Sequence, residues 1–411
     1  MLLARLLKQV IREGRLAIRD ADGQWHEIGD DSPVTVRMRL HDKKVERDLL
    51  LNPQMAFGEA YMDGRVTFED CEVGDFLDLA ARNLGTGYGP GHWQWIANAR
   101  TWLNRLALPN TLRRSHRNVA HHYDLSGALY DLFLDRDKQY SCAFFESPSD
   151  SLEDAQLHKK QRIASKLALS KGQRVLDIGS GWGGLALQLA QEADVEVTGV
   201  TLSQEQLKVA TARAQAMGLG NRVNFQLQDY RKIAGRFDRV VSVGMFEHVG
   251  LRHYDQFFKT VSSLLTEDGV ALIHSIGRSD GPGATNSWAA KYIFPGAYAP
   301  ALSEVLPAIE RSGLIVSDIE ILRLHYAYTL AEWRRRFREN RAKVARLYDE
   351  RFCRMWEYYL AGAEIGFRYQ GTMVFQIQLT KKIDALPLTR DYMMVAREQQ
   401  AAPANRSVAA E

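Results

Sequence analysis

The sequence predicts an α/β protein, a doubly wound and mostly parallel sheet preceded by a small α+β domain. Two observations predict the sheet. From about residue 150, short apolar runs alternate with helical segments, the pattern of parallel strands joined by helical crossovers. One run, Val175-Leu176-Asp177-Ile178, breaks into Gly179-Ser180-Gly181-Trp182-Gly183-Gly184, a glycine turn where such sheets bind ligands. A third observation separates the N-terminal part. Its pattern mixes helix and half-buried strand and ends near residue 84 in a stretch that can hold neither.

Length and composition fit this division. The chain has 411 residues, which at ~150 residues per domain suggests two or three domains. Hydrophobic residues make up 45% and charged residues 25%, enough apolar content to bury a core and exclude wholesale disorder. The 53 Lys+Arg and 50 Asp+Glu leave +3, too little for a protein that coats nucleic acid. Cys71, Cys142 and Cys353 are odd in number and far apart, against a disulfide scaffold or a cysteine-rich zinc site and in keeping with a reducing compartment. No run nears the ~18 apolar residues of a membrane span. The arginine-dotted N-terminus lacks a signal-peptide core, so a cytoplasmic protein is expected.

Taken in order, Leu2, Leu3, Leu6, Leu7, Val10 and Ile11 recur at helical spacing among Arg5, Lys8 and Arg12. This predicts an amphipathic helix packed on its own domain, with an anionic membrane surface as the alternative partner. Val34 to Leu40 alternates like a half-buried strand, and Pro53 to Phe68 reads as a short helix and a turn. Residues 1–84 are thus one domain. Residues 85–115 form a linker, since Gly85-Thr86-Gly87-Tyr88-Gly89-Pro90-Gly91 cannot hold regular structure. Trp93, Trp95 and Trp102 near Arg113, Arg114, His116 and Arg117 suit interdomain packing or a membrane interface. Strands are expected at 173–178, 195–200, 223–228, 237–243, 269–275 and 314–321. A last, alternating strand is expected over Thr372 to Leu379. The catalytic domain spans 116–385, and 386–411 is a tail.

The glycine loop admits two cofactors. Gly179, Gly181 and Gly184 satisfy the dinucleotide pattern loosely. Asp177 at the strand end opposes that reading, because it would repel a pyrophosphate and attract a cation. The ribose-binding acid expected about 20 residues on is also missing: the next strand ends at Val200-Thr201, with no acid before Glu205. S-adenosylmethionine carries an ammonium and a sulfonium and suits Asp177. Thr201, Ser203 and Gln206 can bond its ribose, and Asp229, just after the third strand, can meet its adenine amino group. Gly183 completes the expected loop.

Several motifs then resemble the cyclopropane fatty acid synthase family, which includes the mycolic acid cyclopropane synthases. They are His122-Tyr123-Asp124-Leu125-Ser126, Tyr140-Ser141-Cys142-Ala143-Phe144-Phe145, the glycine loop, Thr201-Leu202-Ser203, Phe246-Glu247-His248-Val249-Gly250, His274-Ser275-Ile276-Gly277, Ile293-Phe294-Pro295-Gly296 and His325-Tyr326. The resemblance covers about residues 115 to 380. It implies a Rossmann-like, class I methyltransferase fold. The implied activity transfers a methylene from S-adenosylmethionine to a cis double bond of a phospholipid acyl chain. It also implies a bicarbonate ion as general base, held by Cys142, Glu247, His274, the backbone of Ile276, and Tyr326, with Tyr140 and Ser141 closing over the cofactor. Taken singly, each residue has a plainer reading: a small buried cysteine, a helix-end Glu-His pair, a core histidine, a core tyrosine.

The chemistry suits these residue types. An alkene is a weak nucleophile, the attacked methyl is strongly activated, and ring closure requires loss of a proton from the new methyl to a nearby base. The resulting positive charge needs shielding from water and aromatic faces such as Tyr140, Phe144 and Tyr326. Some members of the family carry a cysteine where this chain has Ala363, so a covalent cysteine route at that position is closed here. The implied partner is a phospholipid membrane surface on the cytoplasmic side, met peripherally, with the N-terminal domain handling lipid or linking a dimer. Arg334, Arg335, Arg336, Arg338 and Arg341 read either as a leaflet anchor or as a helix face with local ion pairs. Tyr292, Phe294, Pro295 and Tyr298 are expected at the mouth of the lipid channel. A fatty-acid C-methyltransferase giving a methyl-branched chain is the nearest alternative, and a silent lipid-binding adaptor a more distant one.

Overall fold

The computed structural model describes residues 1–84 and 126–393. The linker, its tryptophans and arginines, and His122 to Leu125 lie outside the described residues. In the N-terminal part, β1 (Arg15–Arg19), β2 (Trp25–Gly29), β3 (Val36–Leu40) and β4 (Val66–Phe68) form a sheet in the order β2-β1-β3-β4. Strand β3 follows its sequence pattern, with Val36, Met38 and Leu40 buried and Arg37 and Arg39 exposed. The other three strands were not legible. In β1 three consecutive residues, Leu16, Ala17 and Ile18, are buried, which erases alternation. In β2 only Ile28 is buried, and β4 has three residues. The Pro53–Phe68 stretch is helix Pro53–Met62, a turn and then β4, so its end is a strand. Helix Leu2–Val10 buries Leu3 and Ala4 in this unit's own core, the first of its two readings.

The second sheet holds β5 (Arg174–Ile178), β6 (Glu196–Thr201), β7 (Val223–Leu227), β8 (Phe237–Val243), β9 (Leu265–Arg278), β10 (Ile315–Ile321) and β11 (Thr372–Thr380), in the order β10-β11-β9-β8-β5-β6-β7. From β9 to β7 all neighbours are parallel, while β11 is antiparallel to both β9 and β10. Every expected strand is present, and β9 runs longer than its expected 269–275. The chain moves outward from β5 through β6 to β7, then returns to place β8 on the other side of β5. That reversal opens a crevice at the carboxyl ends of β5 and β8, where ligands bind in such sheets.

Strand β11 departs from its pattern in one respect. Alternating Phe375, Gln376, Ile377, Gln378 suggests one wet face, yet Gln376 and Gln378 are each only 1% exposed. Both faces of the sheet are covered, so the polar positions are buried and must find partners inside. Gln378 donates to the carbonyl of Lys166, and its side-chain amide meets the Tyr392 hydroxyl at 2.8 Å. Arg390 pairs with Asp318, so the first residues of the expected tail lie against the sheet.

The basic run is an ion-paired face. Arg334 pairs with Glu364, Arg335 with Glu332 and Glu339, Arg336 with Glu153 and Glu332, Arg338 with Glu72, and Arg341 with Glu350 and Glu357. Its positive charge is largely spent within the protein, which favours the second of its two readings. Among the described residues no helix is long and apolar enough to cross a membrane.

Helix Gly184–Ala193 starts at Gly183, whose φ of +85° suits glycine. A Cβ there would lie 2.7 Å from the Phe225 ring and 2.9 Å from the Ala210 methyl. Gly183→Ala is therefore expected to lower folding stability by about 1–3 kcal/mol. Urea denaturation checks this as a reduced midpoint at unchanged slope.

Candidate active site

The crevice is built from strand ends and the loops that follow them. Ile178 and Gly179 come from β5, Val200 and Thr201 from β6, Asp229 from the turn after β7, and Val243 and Gly244 from β8. Gly179 and Gly181 both line it with positive φ, which brings bare backbone to the ligand side of the turn. Met245, His248, Pro295 and Gly296 also line it. Part of the segment expected at a channel mouth thus borders the crevice. Phe294 packs edge-on against Tyr359, with centroids 5.6 Å apart.

The expected cofactor residues separate by what they touch. Thr201 and Gln206 line the crevice, and the Thr201 hydroxyl donates to Gln206 Oε1 at 2.7 Å. The Ser203 hydroxyl caps the next helix by accepting from the Gln206 amide at 3.3 Å, and Gly183 packs on Phe225. Neither Ser203 nor Gly183 lines the crevice. Asp229 does, but Arg231 grips its carboxylate through Nε at 2.9 Å and Nη2 at 2.7 Å. Asp177 is 2% exposed, and its Oδ2 has no hydrogen-bond partner among the described residues. Burial pushes its carboxyl up to about 7, with only Lys159 pulling the other way. An orphaned carboxyl beside a glycine turn fits a cationic ligand group.

The implied base-holding residues lie deeper. Glu247 sits in a short 3-10 turn after β8, where Oε1 accepts from the Ile276 amide at 2.7 Å. Its Oε2 is buried with no partner among the described residues. Burial raises Glu247 to about 7, opposed by the Ile276 amide and more weakly by Ser275. His274 is pushed down to about 3 by burial and by the Lys159 and Lys166 ammoniums. Burial holds the Cys142 thiol well above its ordinary range, so it stays protonated, and it donates to the Ala143 carbonyl at 3.2 Å. Tyr326 packs among Trp333 and Phe367. Cys142 and Tyr326 share one core, with Tyr140 and Ile276 packed against it. Tyr140 stacks on Trp333 and bonds the Tyr359 hydroxyl at 2.8 Å.

Lys159 was missed by the sequence reading. It lies on helix Leu152–Lys166, is 1% exposed, and donates to Ser141 Oγ at 3.0 Å and to Gln139 Oε1. Burial lowers it to about 8, and its charge acts on Cys142, Asp177 and His274. The signal was present. Leu152, Ala155, Gln156, Lys159, Lys160, Ile163 and Lys166 are buried along one side of that helix, so three lysines fall on the inward stripe rather than the wet face.

Comparison with known proteins decides the lineage. The model of the mycolic acid cyclopropane synthetase family matches residues 110–377. The chain belongs to this family. A domain of unknown function matches residues 2–85. The cyclopropane-fatty-acyl-phospholipid synthase of Escherichia coli is 36% identical over 379 residues, covering 88% of this chain and 95% of that protein. A probable fatty acid methyltransferase of Pseudomonas putida is 41% identical over 299 residues, covering 68% of this chain and 76% of the other. A crystal structure of a mycolic acid cyclopropane synthase complexed with SAH and CTAB superposes with a TM-score of 0.61. The two are 31% identical, over 64% of this chain and 97% of that one. The fold is that of an S-adenosylmethionine-dependent methyltransferase.

The three thiols differ in access. Cys71 is half-buried, whereas Cys142 and Cys353 are 0% exposed and burial raises both. Under native conditions a maleimide is expected to modify Cys71 alone, with the other two reacting only on unfolding. Peptide mass mapping reads the order.

Proposed function

We propose that this protein is a cyclopropane synthase acting on phospholipid. It transfers a methylene from S-adenosylmethionine to the cis double bond of an unsaturated acyl chain. The observation that carries this reading is Glu247. Beside a cation-accepting crevice, it is a buried carboxyl with one oxygen anchored and the other without a partner. The near full-length similarity to the Escherichia coli phospholipid synthase supports the substrate class.

S-adenosylmethionine supplies a methyl carbon activated by a sulfonium. Asp177 draws the cationic end of the cofactor to the strand ends, Thr201 and Gln206 meet its ribose, and Tyr140 and Ser141 shield it. The buried aromatic wall of Tyr140, Trp333 and Tyr326 presents π faces to positive charge developing on the acyl chain and excludes the water that would capture it. Glu247 takes or relays the proton released before ring closure.

A bicarbonate ion fits most of the proposed donor set and would supply a proton acceptor between substrate and protein. The Cys142 thiol, neutral His274 and the Tyr326 hydroxyl can donate to its oxygens, and Glu247 Oε2 can accept from its hydroxyl. The Ile276 amide is already engaged by Glu247, so an anion reaching it shares that N–H. The double bond lies inside a bilayer, so the protein docks on its surface. That docking does not draw on the ion-paired arginines.

A second reading keeps the scaffold and changes the product. The Pseudomonas putida relative is named as a probable fatty acid methyltransferase, and a branched methyl arises when a different proton leaves. Purified protein with cis-unsaturated phospholipid vesicles and methyl-labelled S-adenosylmethionine separates the two. NMR and mass spectrometry are expected to place the label in a cyclopropane ring. Label in a branched methyl establishes the second reading instead. Glu247→Gln is expected to keep cofactor affinity and lose turnover by about 100- to 10,000-fold, and near-normal turnover removes Glu247 from the mechanism.

Asp177 makes cofactor binding pH-dependent. Its carboxyl is raised to about 7 in the free protein, and a bound ammonium favours the ionised form. Binding therefore releases a proton just below pH 7, and affinity rises with pH until it levels above about 7. Calorimetry in buffers of different ionisation heat measures that proton. Asp177→Asn is expected to abolish the release and weaken binding about 10- to 100-fold.

A further inference from the structure

Three adjacent strands of the large sheet carry a polar residue at one level. Glu320 on β10 lies opposite Gln376 on β11, and Gln376 lies opposite His274 on β9. Directly opposed residues in antiparallel pairs point to the same face, so the three form one rung across the sheet. Lys166, at the end of helix Leu152–Lys166, drops onto it. Its ammonium donates to Gln376 Oε1 at 2.6 Å and to Glu320, which Arg162 also holds through Nε at 2.7 Å. Lys166, Gln376 and His274 are each 2% exposed or less.

Hydrogen-bond chemistry fixes every orientation along this rung. An ammonium has donors only, so the Gln376 oxygen must face Lys166. The amide nitrogen is thereby turned to His274, whose Nδ1 it meets at 3.1 Å. That nitrogen of the amide can only donate, so Nδ1 can only accept, and the ring proton resides on Nε2. Protonating the ring would set an N–H against the Gln376 NH2 and add a positive charge beside Lys166 in a dry interior.

We propose that Gln376, held by Lys166 and Glu320, is a positioning residue that locks His274 as the neutral Nε2–H tautomer, so that it meets a bound oxyanion as a hydrogen-bond donor and never as the base. The inference rests on the reading of His274 as a residue of the base site. It assigns the proton-accepting role to Glu247 or the anion and makes helix Leu152–Lys166 part of the catalytic apparatus.

The test reads the tautomer and the turnover separately. Two-bond proton–nitrogen correlation spectra of histidine-labelled full chain, with His274 assigned by its loss in His274→Gln, are expected to show an unprotonated Nδ1 and a protonated Nε2 across pH 6 to 9. Gln376→Glu offers His274 an acceptor in nearly the same shape. It is expected to move the proton to Nδ1 and lower kcat about 10- to 100-fold, with KM for S-adenosylmethionine unchanged. Should that variant fail to fold, Gln376→Met removes the donor without adding charge, and mixed tautomers with reduced kcat are expected. A wild-type proton on Nδ1 overturns the proposal whatever the activity. Full turnover in a tautomer-shifted variant also overturns it, if His274→Gln is inactive. Full turnover in His274→Gln overturns the reading of the base site itself.

Discussion

Four ionisable side chains are held almost dry in one region of the catalytic sheet, and much of the surrounding architecture follows from that. Asp177, Glu247, His274 and Lys159 are each at most 7% exposed, and none makes an ion pair among the described residues. Desolvation is the largest influence on every one. It pushes the two carboxyls up to about 7, the imidazole down to about 3 and the ammonium down to about 8. Such groups are unfavourable in a fold unless a ligand completes them. The apolar cores on the two sides of the sheet, one around Trp333 and Trp356 and one around Phe246 and Phe258, hold them in place. On the proposed function, the charge that completes these groups arrives with the ligand.

The same dryness makes these groups chemically selective. At neutral pH the Cys142 thiol and the His274 imidazole resist ionisation and present hydrogen-bond donors, while Glu247, poised near 7, can hold or release a proton. Two carboxyls reach similar values by the same physical route at different places in the fold. Asp177 stands at the end of β5 beside the glycine turn, and Glu247, in the turn after β8, is tied to the Ile276 amide. In the proposed mechanism, placement on the sheet, rather than proton affinity, separates cofactor attraction from proton transfer.

Much of this was legible because it obeys local rules. The strand-turn-helix around Gly179 and Gly181 and the parallel strands 174–243 fall close to where periodicity and turn chemistry put them. Glu247, His274 and Tyr326 stood out only through whole motifs, since alone they read as a helix-end pair, a core histidine and a core tyrosine. Lys159, Lys166 and Gln376 stayed hidden because polar residues in alternating or amphipathic patterns default to a wet face. Here the sheet is covered on both sides and helix Leu152–Lys166 turns three lysines inward. The small sheet near the N-terminus failed for the opposite reason, with β1 too buried and β4 too short to show a period.

The N-terminal unit is fastened to the wall of the site. Helix Glu350–Tyr369 places Ala361 in the N-terminal core, and its Glu357 accepts from the Tyr61 hydroxyl at 3.1 Å. Helix Pro53–Met62 grips the opposite rim. Glu59 accepts from Lys291 at 2.6 Å and Tyr292 at 2.8 Å, and Met62 accepts from the Trp288 indole at 3.3 Å. Pro295 and Gly296, which border the crevice, follow within four residues of Tyr292. Tyr359, which bonds Tyr140, lies one residue beyond Tyr358, whose ring packs on Trp288 and Phe57. Two short covalent paths thus run from the N-terminal unit to the crevice rim and the aromatic wall. A load on that unit acts on segments that border the crevice. The arginine run contributes through the same geometry: Arg338 reaches Glu72 and Arg341 holds Glu357, so these cations brace the join between the two sheets.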